Sequence, residues 1–192
     1  MRLLKKEEEC SNHTGSLLVA MPTLRDPNFS RTILFLSHHD SDEGSTGFIL
    51  NRPNGQMLEN YDVSHERLRR VPVFEGGPVE KRHLLLTLLH WVEGGVRFQS
   101  IGKEALDSTT LPEKTESTSA GLRAFIGYAG WSRGQLEYEI AEKSWLILPP
   151  SAPLLKCVTT FEEGINQWLS IMRELGSWYR LLAEEPDDPS LN

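Results

Sequence analysis

Residues 122–148 read Leu122-Arg-Ala-Phe-Ile-Gly-Tyr-Ala-Gly-Trp-Ser-Arg-Gly-Gln-Leu-Glu-Tyr-Glu-Ile-Ala-Glu-Lys-Ser-Trp-Leu-Ile-Leu148, and three patterns follow one another within them. Residues 122–128 are largely apolar and aromatic, which predicts a strand. Glycines at 127, 130 and 134 punctuate the turn after it. From Ser132 onward, Leu136 and Ile140 stand four apart, the spacing of one helix face. Residues 145–148 return to strand character, and Pro149-Pro150 closes them because proline brings no N–H to a ladder. A strand, a helix and a second strand in succession place the chain among mixed α/β proteins.

Working outward, residues 16–21 form a short apolar run closed by Pro22, as in a strand buried on both faces. Asp26-Pro27 starts a helical turn, since Asp accepts orphan N–H groups and Pro has none to lose. Residues 32–37 predict a strand. The polar segment 38–47 predicts a wide loop, and with the apolar run 48–50 it makes a hairpin, broken by Asn51-Arg-Pro-Asn-Gly. Residues 56–70 predict one helix, 71–74 a brief strand before Glu75-Gly-Gly-Pro, and 83–91 and 96–99 two further strands. Residues 102–120, rich in Ser, Thr, Glu and Lys, read as a surface excursion. Ile165, Trp168, Leu169 and Met172 recur at i, i+3, i+4 and i+7, one face of an amphipathic helix ending near Gly176. The expected organisation is a flexible segment 1–14, one domain over 15–182, and a disordered acidic tail 183–192.

The length of 192 residues fits a single self-sufficient core. With 20 Lys and Arg against 27 Asp and Glu, the net charge of −7 repels phosphate backbones and anionic lipid. Nucleic acid is an unlikely partner on that ground, because the longest basic run is only Arg67-Leu-Arg-Arg. Cys10 and Cys157 are too few for a disulfide framework, which fits a reducing compartment. No signal-peptide core and no window of about 18 apolar residues is present, so a cytoplasmic location without membrane contact is expected.

His38-His39-Asp40 with Asp42 and Glu43 gathers types that hold metals or move protons. No second ligand set is spaced to complete a site, so neither a metal nor another cofactor is expected. The glycine turn 127–134 lacks the Lys-Ser/Thr of a P-loop and the spacing of a dinucleotide loop, and reads as a packing turn. Glu137 and Glu139 read as complements to a helix dipole. Arg25, Arg31 and Arg52 flank two turns and could form a fork for a carboxylate or phosphate, while Arg31 is close enough to Asp26 to pair with it. There is no Gly-x-Ser-x-Gly, and Cys157 reads as a small apolar filler.

Four segments together resemble the AlgH/YqgE-like family of bacterial proteins: Gly15-Ser-Leu-Leu-Val-Ala-Met-Pro with Asp26-Pro-Asn-Phe-Ser-Arg; Gly44-Ser-Thr-Gly-Phe-Ile-Leu-Asn-Arg-Pro; Gly76-Gly-Pro-Val; and Phe125-Ile-Gly-Tyr-Ala-Gly-Trp with Gly134-Gln-Leu-Glu. The resemblance implies an α+β single domain whose strongly bent, barrel-like mixed sheet is flanked by helices. It implies no reaction. Asp26, Arg31, Asn51, Arg52, Gly77, Tyr128 and Trp131 fall at strand ends and turns of the matching segments and, with His39 from the segment between them, are expected to meet at one ligand-binding surface. The expected function is a non-catalytic binding or regulatory module, taking a small anionic ligand or a protein partner, as a monomer or small homo-oligomer. The rivals are a hydrolase with His39 as base and a transcriptional regulator acting without direct DNA contact.

Overall fold

The computed structural model describes residues 12–61, 66–93, 95–101 and 121–185. The excursion expected over 102–120 lies outside the described residues, as do positions 1–11 and 186–192 of the two expected flexible ends.

Among the described residues nine strands form one curled mixed sheet: β1 Leu17–Ala20, β2 Ile33–Asp40, β3 Gly44–Ile49, β4 Pro53–Met57, β5 Pro72–Glu75, β6 Val79–Val92, β7 Gly95–Ser100, β8 Leu122–Trp131 and β9 Trp145–Leu148. Among the described residues four α-helices accompany it: α1 Gln135–Ala141, α2 Ala152–Leu155, α3 Phe161–Glu174 and α4 Ser177–Glu184. The fold is the expected single-domain α+β architecture, a strongly curled half-barrel.

The ten-residue β8 is the spine. On one side β6 runs antiparallel to it, from Leu84 opposite Ile126 to Leu88 opposite Leu122. On the other, β5 runs parallel, from Val73 opposite Ala124 to Glu75 opposite Ile126, and β3 takes over antiparallel, pairing Gly47 with Ala129 and Ser45 with Trp131. The ends of β3 and β5 meet beside Gly127, where Ile49 N–H donates to the Gly76 carbonyl at 3.0 Å. Between β5 and β6 the chain must therefore cross β8, and it does so at Gly77, whose missing side chain lets the two backbones touch; a methyl there would overlap the Tyr128 carbonyl. Gly127 sits at the same crossing with φ 68°, a left-handed conformation that glycine adopts without penalty.

The apolar run of β1 is buried on both faces because it feeds two cores. Leu17 and Val19 pack with Phe35, Phe48, Phe74, Phe125 and Trp168. Leu18 and Ala20, pointing the other way as strand alternation requires, pack with Leu34, Ile49, Trp131, Leu136 and Trp145. Helix α3 closes the first core through the stripe legible in the sequence. Its Thr160–Glu163 capping box satisfies the first turn, with Glu163 N–H donating to Thr160 Oγ1 at 3.1 Å. Trp168, Ile171 and Met172 are buried, each contributing about 1.5–3 kcal/mol, and the Trp168 indole N–H donates to the Ala20 carbonyl at 2.7 Å.

Asn51 clips this helix to the sheet. Its Oδ1 accepts from Ile33 N–H at 2.8 Å, and its Nδ2 donates to the carbonyls of Arg31 and Gly164, both at 3.0 Å. The approach is so close that a methyl at Gly164 would overlap the Asn51 carbonyl.

Three expectations are corrected. The segment 38–47 is no wide loop: β2 continues to Asp40 and β3 begins at Gly44. A short turn joins them, closed by the Asp40 carboxylate accepting from Asp42 N–H at 2.7 Å and Glu43 N–H at 3.0 Å, bonds that hold this carboxyl below its ordinary pKa. The helix expected over 56–70 is replaced, among its described residues, by the end of β4 and two short 3-10 turns, Leu58–Asn60 and Glu66–Leu68. The domain also extends further both ways than 15–182. Thr14 Oγ1 accepts from His39 N–H at 2.9 Å. At the other end α4 follows Gly176, Ala183 is buried, and Glu185 pairs with Arg25 at 3.5 Å.

Two substitutions test this frame. Gly164→Ala forces α3 off the Asn51 backbone and is expected to cost about 3 kcal/mol or more, read as a lowered urea midpoint. Asn51→Ala strands one buried N–H and two carbonyls and is expected to cost roughly 3 kcal/mol; a midpoint within error of the parent protein for either variant contradicts the clip.

Candidate functional site

Where β3 and β5 end against β8, the sheet parts and leaves a cleft of about 230 Å³. Ile49 and Ile126 supply apolar wall, and Arg52, Asn54, Glu75 and Lys81 bring the polar groups. Arg52 is pinned from behind: its Nη1 donates to the Asn28 carbonyl at 2.7 Å and its Nη2 to the Ser30 carbonyl at 2.8 Å. These carbonyls belong to the turn that Asp26 initiates, accepting from Asn28 N–H at 2.7 Å through its Oδ1. Burial pulls the Arg52 guanidinium below its ordinary pKa, and the nearby Glu75 and Asp26 carboxylates oppose that shift.

A second, shallower groove of about 450 Å³ lies past the crossing. Its walls include His38, Ser45, Thr46, Val79, Tyr128 and Trp131. Gly77 and Pro78 border the cleft while Val79 borders the groove, so the chain that crosses β8 touches both. Trp131 is nearly buried, and its indole N–H donates to Glu139 Oε2 at 2.9 Å. The Trp145 indole donates to the same oxygen at 2.7 Å, and Gln135 Nε2 to Oε1 at 2.9 Å. Glu139 thus gathers three N–H donors and anchors α1, a more specific role than complementing a dipole.

Behind the groove, His39 is 6% exposed. Its Nδ1 lies 2.8 Å from Ser45 Oγ on the partner strand, and its Nε2 lies 3.6 Å from Glu137 Oε1 on α1. That carboxylate oxygen is buried and accepts no hydrogen bond among the described residues. The His13 ring stands 5.2 Å from that of His39; desolvation first, then the proximity of His39, lowers the His13 imidazole, with Glu137 opposing.

The eight residues expected at one surface are therefore divided. Arg52 and Gly77 line the cleft, with Asp26 supporting the turn behind Arg52. Tyr128 and Trp131 line the groove, and His39 is buried behind it. Arg31, at a left-handed φ of 57°, faces a small recess beside Trp168 and Ala183, where its Nη2 donates to the Glu185 carbonyl at 3.3 Å. Asn51 is interior and is spent on backbone contacts. His38 and His39 occupy successive strand positions and point to opposite faces, so they do not form a ligand pair. Among the described residues no group of three or more His, Cys, Asp or Glu converges to hold a metal ion.

Several residues of these sites escaped the sequence reading. Glu75 and Lys81 carry no linear signal, being brought together by the crossing. Ser45 had one: six residues from His39 around a short turn, it pairs directly across the hairpin. Cys157 is exposed rather than a core filler. The buried polar residue nearby is Arg123, which donates to the Leu155 carbonyl and lies 5.6 Å over the Phe74 ring. Among the described residues no helix is long and apolar enough to cross a membrane.

Comparison with known proteins places this geometry. Residues 17–180 match a model of the AlgH-like family. A UPF0301 protein of Streptomyces coelicolor is 36% identical over 200 residues, spanning 96% of this chain and 97% of that one. A UPF0301 protein of Vibrio cholerae is 32% identical over 182 residues, spanning 86% and 92%. The solution structure of the AlgH protein from Pseudomonas aeruginosa superposes with a TM-score of 0.62 at 26% identity, covering 94% of this chain and 98% of that chain. The crystal structure of DIP2367 from Corynebacterium diphtheriae shares the fold with a TM-score of 0.65 at 18% identity, covering 89% and 91%. By sequence match along nearly its whole described domain, the chain belongs to the AlgH-like family.

Proposed function

We propose that this protein is a binding module for a small anionic metabolite, held in the cleft at the junction of β3, β5 and β8. The observation that carries the reading is the state of Arg52, a partly desolvated guanidinium fixed by two backbone carbonyls on the wall of a cleft at a sheet discontinuity. Crevices where strand order changes are preferred ligand sites, since the parting of the strands leaves backbone and side-chain polar groups aimed at one space. Two of the guanidinium's five N–H groups serve the turn, which leaves three for a carboxylate or phosphate. Lys81 adds a second positive charge on the wall.

Glu75 shares this lining, and it repels a bare anion. The ligand that satisfies all three charges carries a hydroxyl or amine beside its acidic group, as an amino acid, a hydroxy acid or a sugar phosphate does. The cleft is smaller than the roughly 300–1,000 Å³ of typical ligand pockets, which favours metabolites over nucleotides or larger cofactors. A regulatory role would run through this ligand or a protein partner rather than DNA, which the net charge of −7 disfavours. Cys157, a free cysteine at the surface, suits a reducing compartment, and we place the protein in the cytoplasm.

The test is differential scanning fluorimetry against amino acids, hydroxy acids and sugar phosphates. A true ligand at 100 times its Kd adds about 2.7 kcal/mol, an easily read rise in Tm. Lys81→Glu is expected to leave the ligand-free Tm unchanged and to weaken binding about tenfold or more. Arg52→Ala is expected to lower the ligand-free Tm as well, because it also releases the turn. A flat response to the whole panel, or binding indifferent to Lys81→Glu, overturns the assignment.

A further inference from the structure

We propose that the cleft binds an acidic α-amino acid of the glutamate type, with its α-carboxylate on Arg52, its α-ammonium on Glu75 and its side-chain carboxylate on Lys81. This deepens the reading of the cleft as a site for a small anionic metabolite, and rests on it.

The basis is the order of charges across the sheet. Pro53 pairs with Phe74, so Arg52 stands opposite Glu75, and Glu75 N–H donates to the Arg52 carbonyl at 2.9 Å. Glu75 in turn pairs with Ile126 on β8. Residues opposite one another on neighbouring strands share a face, which sets Arg52, Glu75 and Ile126 in one row, each about 5 Å from the next at the backbone. Beyond Ile126 lies β6, whose register jumps from Val79 opposite Tyr128 to Leu84 opposite Ile126. Residues 80–83 therefore bulge out of the ladder, a device that re-aims side chains beside a site. Glu80 enters the bulge at a left-handed φ of 52°, and Lys81 is delivered to the cleft wall. Across the strands the lining thus runs positive, negative, apolar, positive.

A glutamate-type molecule carries the complementary order. Its α-carboxylate and α-ammonium share one carbon, as neighbouring charges on adjacent strands require. The methylenes that follow suit the apolar wall of Ile126 and Pro78. The terminal carboxylate then meets Lys81, whose flexible four-carbon stem supplies the remaining reach. The single net negative charge of the ligand cancels the single net positive charge of Arg52, Lys81 and Glu75 together.

These charges are open to a ligand. Glu75 opposes the desolvation of Arg52 without forming an ion pair with it, and among the described residues neither Glu75 nor Lys81 makes a side-chain hydrogen bond or an ion pair. The other anionic metabolites match less well. A sugar phosphate concentrates its negative charge at one end and offers Glu75 only a hydroxyl, and a hydroxy acid donates to Glu75 without cancelling its charge.

The experiment is isothermal titration calorimetry of the full chain with L-glutamate, L-glutamine and glutarate, the latter two each lacking one of the charged groups of the first. L-Glutamate is expected to bind tightest, with glutarate, which lacks the ammonium, and L-glutamine, which lacks the second carboxylate, each weaker by about tenfold or more. Glu75 is exposed, so Glu75→Gln is expected to keep the circular dichroism spectrum of the parent. It is expected to weaken L-glutamate about tenfold while binding glutarate at least as tightly as the parent does. Glutarate binding the parent as tightly as L-glutamate does, or L-glutamate binding indifferent to folded Glu75→Gln, overturns this inference and leaves the reading of the cleft standing. Absence of L-glutamate binding overturns it as well, and the fluorimetry panel separates the two cases: a hydroxy acid or sugar phosphate that raises Tm preserves the cleft as an anion site, whereas a flat panel ends both.

Discussion

Between Glu75 and Val79 the chain passes from one edge of β8 to the other, and it does so in van der Waals contact with the spine it crosses. Gly77 and Gly127 make that passage possible, since a side chain on either would strike the other segment's backbone. Much of the geometry follows. Because β5 must leave β8 at Gly127, the edge there is free for β3, which arrives from the opposite direction. Two strands meeting end to end cannot form a continuous ladder, so the sheet curls and parts. The cleft with Arg52 and the groove beside Tyr128 both border the crossing.

The curl has an energetic counterpart in the double use of β1 and β2. Their alternate residues fill two separate cores, one capped by α3 and the other by α1, so neither layer can shift without disturbing the shared strands. Asn51 fastens the arrangement at one corner, committing both polar atoms of its side chain to three backbone contacts. A residue that looked suited to recognition is thereby a structural bracket, and Arg52 beside it braces the Asp26 turn while lining the cleft.

What could be read from the sequence follows burial. The runs 16–21 and 145–148 and the α3 stripe were legible because their hydropathy reports directly which faces are covered. The curled α+β sheet was legible only through family resemblance, as no periodicity encodes a crossing. The hairpin at 38–47 was misread because polarity was taken for exposure, whereas His39 and Ser45 are buried through each other and through Glu137. Helix α4 was lost because Gly176 was read as the end of helical structure rather than a hinge between two helices. The site residues divided for the same reason: a turn marks where the chain reverses, not which depression the turn will face.

The carboxylate of Glu139, holding the indoles of Trp131 and Trp145 at once, has an optical consequence. The two rings stand edge to face with centroids 5.9 Å apart and planes at 80°, close enough for their excited states to couple. Such a pair gives a near-ultraviolet dichroism band that reports the docking of α1 on the sheet. Since α1 also carries Glu137, the protein contains an intrinsic chromophore for the geometry behind the groove, readable without any label.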